Sequence, residues 1–213
     1  YYSKNLILDK SRNIALTEAE KKNYDIAILD DGYQDYSIKK NLNIICFNSR
    51  QLVGNGYTFP SGPLREKLSS ITKNSVILIN GEKNPEFEKK LLNLKKDISI
   101  FYSNYKLFGV ENLKYNKLLA FAGIGNPVNF FNLLQENSLN VVKELKFPDH
   151  YNFKKKDLEK IINLAKDLNC DLITTEKDFF RIKHYNLDMI KYAKVKLYID
   201  NKEDFLKKIF SKI

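Results

Sequence analysis

The sequence predicts an α/β protein with a parallel sheet, and three observations carry that prediction. First, short continuous apolar runs recur at residues 26–29, 42–47 and Ser75–Asn80, the signature of strands covered on both faces. Second, amphipathic stretches alternate with these runs, as crossover helices do. Third, the alternation restarts after residue 117. Two lobes are therefore expected, at 1–102 and 117–213, joined by linker strands at 103–116.

Taken in order, residues 5–9 read as a short strand. Residues 14–23 read as a helix, with Thr17 and Glu20 in capping-box spacing. The run 26–29 reads as a buried parallel strand, and 42–47 and Ser75–Asn80 repeat it. Residues 85–96 form a Lys-rich amphipathic pattern, a helix with one solvated side. The pattern then becomes alternation, through Ile98, Ile100 and Tyr102 and again through Tyr105, Leu107 and Val110. That predicts a pair of extended connecting strands. In the second lobe, Lys117–Ala122, 141–147, Asp171–Thr175 and 195–199 read as strands. Residues 127–135 read as a helix with Pro at its first turn. Residues 154–168 read as a helix with Leu158, Ile161, Ile162, Leu164 and Ala165 on one face, and 203–210 as a terminal helix.

Composition excludes several classes. The chain is 43% hydrophobic with 13 Tyr and 14 Phe, too much core material for a disordered polypeptide. No run of 18 apolar residues is present, so no membrane-spanning helix is expected. Cys46 and Cys170 stand far apart, each in or beside an apolar run, which predicts buried free thiols and no zinc site. The N-terminus lacks the layout of a signal peptide and a Met, the only Met being Met189. The net charge of +10 fits a polyanionic partner or an anionic membrane surface, although Lys- and Asn-rich residue usage explains much of the excess. Only four of the 36 cations are Arg: Arg12, Arg50, Arg65 and Arg181. Each is of interest because Arg alone offers a rigid bidentate fork.

Five motifs can carry chemistry. Asp30 and Asp31 end an apolar run, the edge of a parallel sheet at which ligands bind. P-loop proteins place a Mg²⁺-holding Asp in this layout, and Asp-Asp-Gly is also ordinary turn chemistry. Residues 54–66 form a Gly- and Pro-constrained loop ending in Arg65 and Glu66, a phosphate-binding pair or a surface turn. Gly123 and Gly125 join a strand to a helix, where backbone amides face anions or the chain packs tightly. Pro148-Asp149-His150 holds one of only two His, suited to proton transfer or to a surface turn. Thr175 and Asp178 have the spacing of a helix N-cap, the favoured reading there. The second imidazole, His184, has no constellation around it and is expected at the surface. No Gly-Lys dipeptide occurs, so the 213 residues contain no Walker A loop.

Taken together, Asp30-Asp31-Gly32-Tyr33-Gln34, Pro60 to Glu66, Ala120 to Pro127 with Phe130-Phe131, Phe147 to His150, and Thr174 to Asp178 closely resemble the tetraacyldisaccharide 4'-kinase (lipid A 4'-kinase) family. The resemblance runs from about residue 9 to the end. It implies a P-loop kinase-like parallel sheet with a second, smaller α/β domain. It also implies ATP and Mg²⁺ as cofactors and transfer of the γ-phosphate to the 4'-hydroxyl of a lipid A disaccharide precursor. Asp30, Asp31 and Glu66 are the implied metal-side residues. Gln34, Arg65 and Glu66 are the implied nucleotide contacts. His150, Asp149 and Arg65 are the implied catalytic group, with His150 supporting a catalytic Asp.

The chain departs from the family pattern at Asp35 and Tyr151, where His is often found. The resemblance places the Walker A loop, the catalytic Asp and a membrane-seating segment ahead of Tyr1. The expectation is thus an N-terminally incomplete enzyme, inactive alone. A monomer at the cytoplasmic face of the Gram-negative inner membrane is expected, touching its anionic surface and binding no nucleic acid. The alternatives are a basic nucleic-acid-binding protein without catalysis and a P-loop kinase for another sugar.

Overall fold

The computed structural model describes residues 5–95 and 97–212. The chain divides into two compact units, one comprising residues up to Ser103 together with those from Ile199 onward, the other Asn104–Tyr198.

The first unit is built on three parallel strands in the order β1 (Asn43–Asn48), β2 (Ser75–Asn80) and β3 (Ser99–Phe108). β2 is a continuous apolar run because both its faces are covered. Ile77 and Ile79 pack with Phe87 and Leu91 of α2 (Pro85–Leu94) and with Ile98. Val76 and Leu78 face the other way, onto Phe205 of α6 (Lys202–Phe210). Phe101 and Phe205 meet edge to face at 5.2 Å. The terminal helix, expected with the small lobe, therefore belongs to the first unit, because the second face of β2 needs a cover. α2 starts where the sequence predicts. Asn84 accepts from the Phe87 amide, and Pro85 follows at the first helical position. It ends at Leu94, and Lys95 is already extended. The expected end at Lys96 lies outside the described residues.

Four expectations fail in this unit. The run 26–29 is not a strand, and Ile26 and Ile28 are 51% and 92% exposed. Residues 6–9 are likewise unpaired, with Leu8 83% exposed. An apolar run becomes a strand only through a neighbouring ladder, and no described strand pairs with either segment. α1 (Arg12–Lys21) begins earlier than expected, so Thr17 lies mid-helix and its hydroxyl bonds back to the Asn13 carbonyl instead of capping. Cys46, on β1, is exposed rather than buried, and Cys170 is half-buried; both are free thiols.

The second unit has four parallel strands in the order β7 (Ile190–Ile199), β6 (Asp171–Thr175), β4 (Lys117–Ala122) and β5 (Asn140–Lys146). β4 is its centre, buried from Leu118 to Ala122. Leu118, Ala120 and Ala122 pack on Phe130, Phe131 and Leu134 of α3 (Pro127–Glu136). Leu119 and Phe121 pack on Leu158, Ile161 and Ile162 of α4 (Lys155–Asp167). The expected pair of linker strands at 103–116 is not present as such. The end of β3 supplies one strand, and after Phe108 the chain turns through a short helix at Glu111–Leu113. Its partner is the long C-terminal half of β7, where Phe108 stacks on Tyr198 at 6.0 Å and Lys106 sits over the Tyr198 ring.

Candidate functional site

In the first unit, residues 30–40 form a turn-rich loop rather than a strand end. Asp31 takes a left-handed backbone conformation, φ +49°, accessible to Asp because its short side chain tolerates it. The Lys40 ammonium gathers the carbonyls of Gly32 and Tyr33, at 3.0 and 3.1 Å, and that of Asp35. Arg12 donates to the Asp30 and Asp31 carbonyls and to the Asp35 carboxylate at 3.2–3.3 Å. The loop is thus pinned from two sides by cations.

Arg65 Nη1 donates to both Asp31 carboxylate oxygens, at 2.6 and 2.7 Å. The Arg65 hydrogen bond, and after it the guanidinium charge, holds the Asp31 carboxyl below the usual carboxylate range. Asp35 is also lowered, first by the Ser37 hydroxyl. Tyr36 donates to Glu66 Oε2 at 2.7 Å, and that bond raises the phenol. Arg65 and Glu66 close the 54–66 loop, which folds back with Phe59 N–H donating to the Leu64 carbonyl at 2.8 Å. A Cβ at Gly62 would collide with the Tyr57 carbonyl, so only glycine fits there.

Gln34, Arg65 and Glu66 line one cavity of about 290 Å³, with Tyr33, Phe47 and Ser70 among its walls. The structure thus brings together, within the first unit, the three residues expected to contact nucleotide. The expected metal residues fit Mg²⁺ by donor chemistry, since Asp30, Asp31 and Glu66 offer hard oxygens. They do not form a cage. Among the described residues no three acidic, His or Cys side chains gather as a metal site, Asp31 is held by Arg65, and Glu66 by Tyr36. Mg²⁺ needs only one or two carboxylates when phosphates supply the rest.

In the second unit a network surrounds Gly123, which follows β4. Asp178 is completely buried. Its carboxyl accepts from the Gly123 amide at 2.8 Å, the Thr175 hydroxyl at 2.9 Å and Arg181 Nη1 at 3.0 Å. The Gly123 carbonyl accepts from Arg181 at 3.2 Å and from the His150 amide at 3.1 Å. A Cβ on Gly123 would stand 3.0 Å from the Tyr151 Cβ and 3.3 Å from the Phe153 ring. The Gly-x-Gly turn therefore packs tightly, and its first amide is claimed by an internal carboxylate.

His150 is exposed at the mouth of this network, with φ +58°. Its Nδ1 lies 2.7 Å from Arg181 Nη2, and its Nε2 lies 3.5 Å from Lys177 Nζ and 3.9 Å from Asp149 Oδ1. Thr175 caps α5 (Glu176–Ile182) by accepting from the Asp178 amide, as the sequence predicts. Sequence reasoning missed that the same Asp178 is the buried anchor of the cluster and that Arg181 joins it to His150. The scarcity of Arg was the available signal. His184 is exposed, against the Tyr185 ring.

Comparison with known proteins gives a consistent result. The family model for tetraacyldisaccharide-1-P 4'-kinase (LpxK) matches residues 3–213. A tetraacyldisaccharide 4'-kinase of Pelagibacter ubique is 37% identical over 212 residues, covering 97% of this chain and 68% of that protein. The Rickettsia typhi protein of the same name is 34% identical over 189 residues, covering 88% of this chain and 58% of its own length. A crystal structure of LpxK from Aquifex aeolicus in complex with ATP matches with a TM-score of 0.64 at 21% identity, over 92% of this chain and 60% of that one. The last likeness is one of fold, the P-loop kinase-like α/β fold. The chain spans about three-fifths to two-thirds of the length of these proteins.

Proposed function

The chain belongs to the tetraacyldisaccharide 4'-kinase family, and from that premise we propose that it transfers the γ-phosphate of ATP to the 4'-hydroxyl of a lipid A disaccharide precursor. The observation that carries this reading is the Asp31–Arg65 pair beside the cavity that also holds Gln34 and Glu66. A carboxylate and a guanidinium that bind each other are a ready exchange site. Arg65 offers its fork to a phosphate, and Asp31, with Asp30, would hold Mg²⁺, which would supply charge neutralisation to the migrating phosphoryl group. Arg65 adds to the same stabilisation, and such groups contribute mostly by fixed electrostatics.

Gln34 and Glu66 position the nucleotide. His150, with Asp149 beside it, serves the acceptor side: the imidazole orients the family's separate catalytic Asp, which takes the hydroxyl proton, a role worth roughly 10²–10⁴-fold. The enzyme works as a peripheral monomer on the anionic inner face of the membrane. The Lys excess draws it there at about 1 kcal/mol per well-placed cation.

The 213 residues carry no Gly-Lys phosphate loop, so residues 1–213 alone are expected to give no turnover. The test replaces the matching 68% of the Pelagibacter ubique relative with this chain and follows phosphate transfer from ATP to tetraacyldisaccharide 1-phosphate. The graft is expected to phosphorylate the 4' position in a Mg²⁺-dependent manner. A folded graft without product overturns the reading.

A further inference from the structure

His150 faces cations on both ring nitrogens, and the distances decide which one it bonds. Arg181 Nη2 stands 2.7 Å from Nδ1, a full hydrogen bond, whereas Lys177 Nζ stands 3.5 Å from Nε2. A guanidinium has donors only and stays protonated. At 2.7 Å, Nδ1 must therefore offer its lone pair. An imidazole that accepts at Nδ1 carries its one proton on Nε2. An imidazolium would set N–H against N–H.

Arg181 is itself held. Its Nη1 donates to the buried Asp178 carboxyl at 3.0 Å and to the Gly123 carbonyl at 3.2 Å. The same Gly123 carbonyl takes the His150 amide, and the Gly123 amide returns to Asp178. Ring and backbone of His150 are thus tied to one buried carboxylate. We propose that Arg181, braced by Asp178, is a positioning residue that fixes His150 as the neutral tautomer with its proton on Nε2.

This inference rests on the role given to His150 above and deepens it. His150 acts as a hydrogen-bond donor through Nε2–H rather than as the base itself. Asp149 Oδ1 lies 3.9 Å from Nε2 on that side. The other charged group there, Lys177, can only donate, so it does not compete for the Nε2 proton. The fork geometry of Arg181 serves both partners at once, one nitrogen to Asp178 and Gly123, the other to His150.

The tautomer is read directly by long-range proton–nitrogen NMR of the His rings in the 213-residue chain, above the ordinary imidazole range. Only two His are present, and a His184→Gln variant assigns the signals. A pyridine-like Nδ1 and a pyrrole-like Nε2 are expected in the wild-type chain. Arg181→Met should release the ring to a tautomer mixture while the amide spectrum of Asn104–Tyr198 stays folded, and Arg181→Lys should restore Nδ1 as acceptor. A protonated Nδ1 in the wild-type chain, or an Arg181→Met ring identical to wild type, overturns the proposal.

In the graft with the Pelagibacter relative, Arg181→Met should lower kcat roughly tenfold, part of what a placed proton-handling group contributes, and leave the KM for ATP unchanged. A graft with no activity at all, together with the expected ring spectra, rejects the kinase reading and leaves the positioning intact. An active graft with a free ring rejects the positioning alone.

Discussion

The two units hold their candidate residues in different ways. In the first, the central ion pair lies at the surface, with Arg65 and Asp31 side chains 65% and 62% exposed, Asp31 on a loop pinned by Lys40 and Arg12. In the second, the exposed His150 is wired through Arg181 to a carboxyl with no exposure at all. An exposed pair is exchangeable, because water screens it and little is lost when it opens. A buried carboxylate is permanent, because removing one partner strands the other's unmet hydrogen bonds. The difference suits the first site to ligand exchange and the second to holding one side chain in one orientation.

Four measurements test this contrast, from the largest effect to the smallest. His150→Ala in the graft should reduce kcat by roughly 10²–10⁴-fold with ATP affinity nearly unchanged. A rate close to the parent's would reduce His150 to a turn residue. Arg65→Ala should cost roughly 10²–10³-fold in turnover and should also raise the KM for ATP. The urea midpoint of the 213-residue chain should stay where it was, since the pair is exposed. A large stability loss there would mean that Arg65 is structural.

Asp178→Ala should reverse that pattern, destabilising the chain by about 3 kcal/mol, read from urea unfolding followed by signals of Asn104–Tyr198. An unchanged midpoint would show that the buried carboxyl anchors nothing. The smallest effect concerns pH. Because Arg65 holds the Asp31 carboxyl below its ordinary value of about 3.9, the pair's stabilisation is complete above that value. It is lost only as pH falls through the lower, folded value. A carboxyl-carbon NMR titration should show Asp31 still ionised where free carboxylates are half-protonated, and Arg65→Ala should bring it back to the ordinary range.

Much of the fold was legible in the sequence because burial on two faces leaves a mark in composition. Ser75–Asn80, Lys117–Ala122 and Asp171–Thr175 are strands with the expected limits. Each is flanked by strands and covered by helices, so its apolar run matches its environment. The run 26–29 looked the same and is exposed, because composition records what a segment can bury and not whether a neighbour is there to bury it. The N-cap at Thr175 was legible too, since capping is local.

The sequence by itself determined the α/β alternation, the Arg65-Glu66 and Asp149-His150 motifs and the cap of α5. These follow from periodicity and from bonds between residues a few positions apart. Only the tertiary structure decided that Asp31 meets Arg65 across 34 residues and that Asp178 reaches Gly123 across 55. It alone placed α6 on the free face of β2. Chain neighbours interact through fixed backbone geometry that a sequence displays. Distant groups meet only after packed strands and helices have chosen which loops lie side by side.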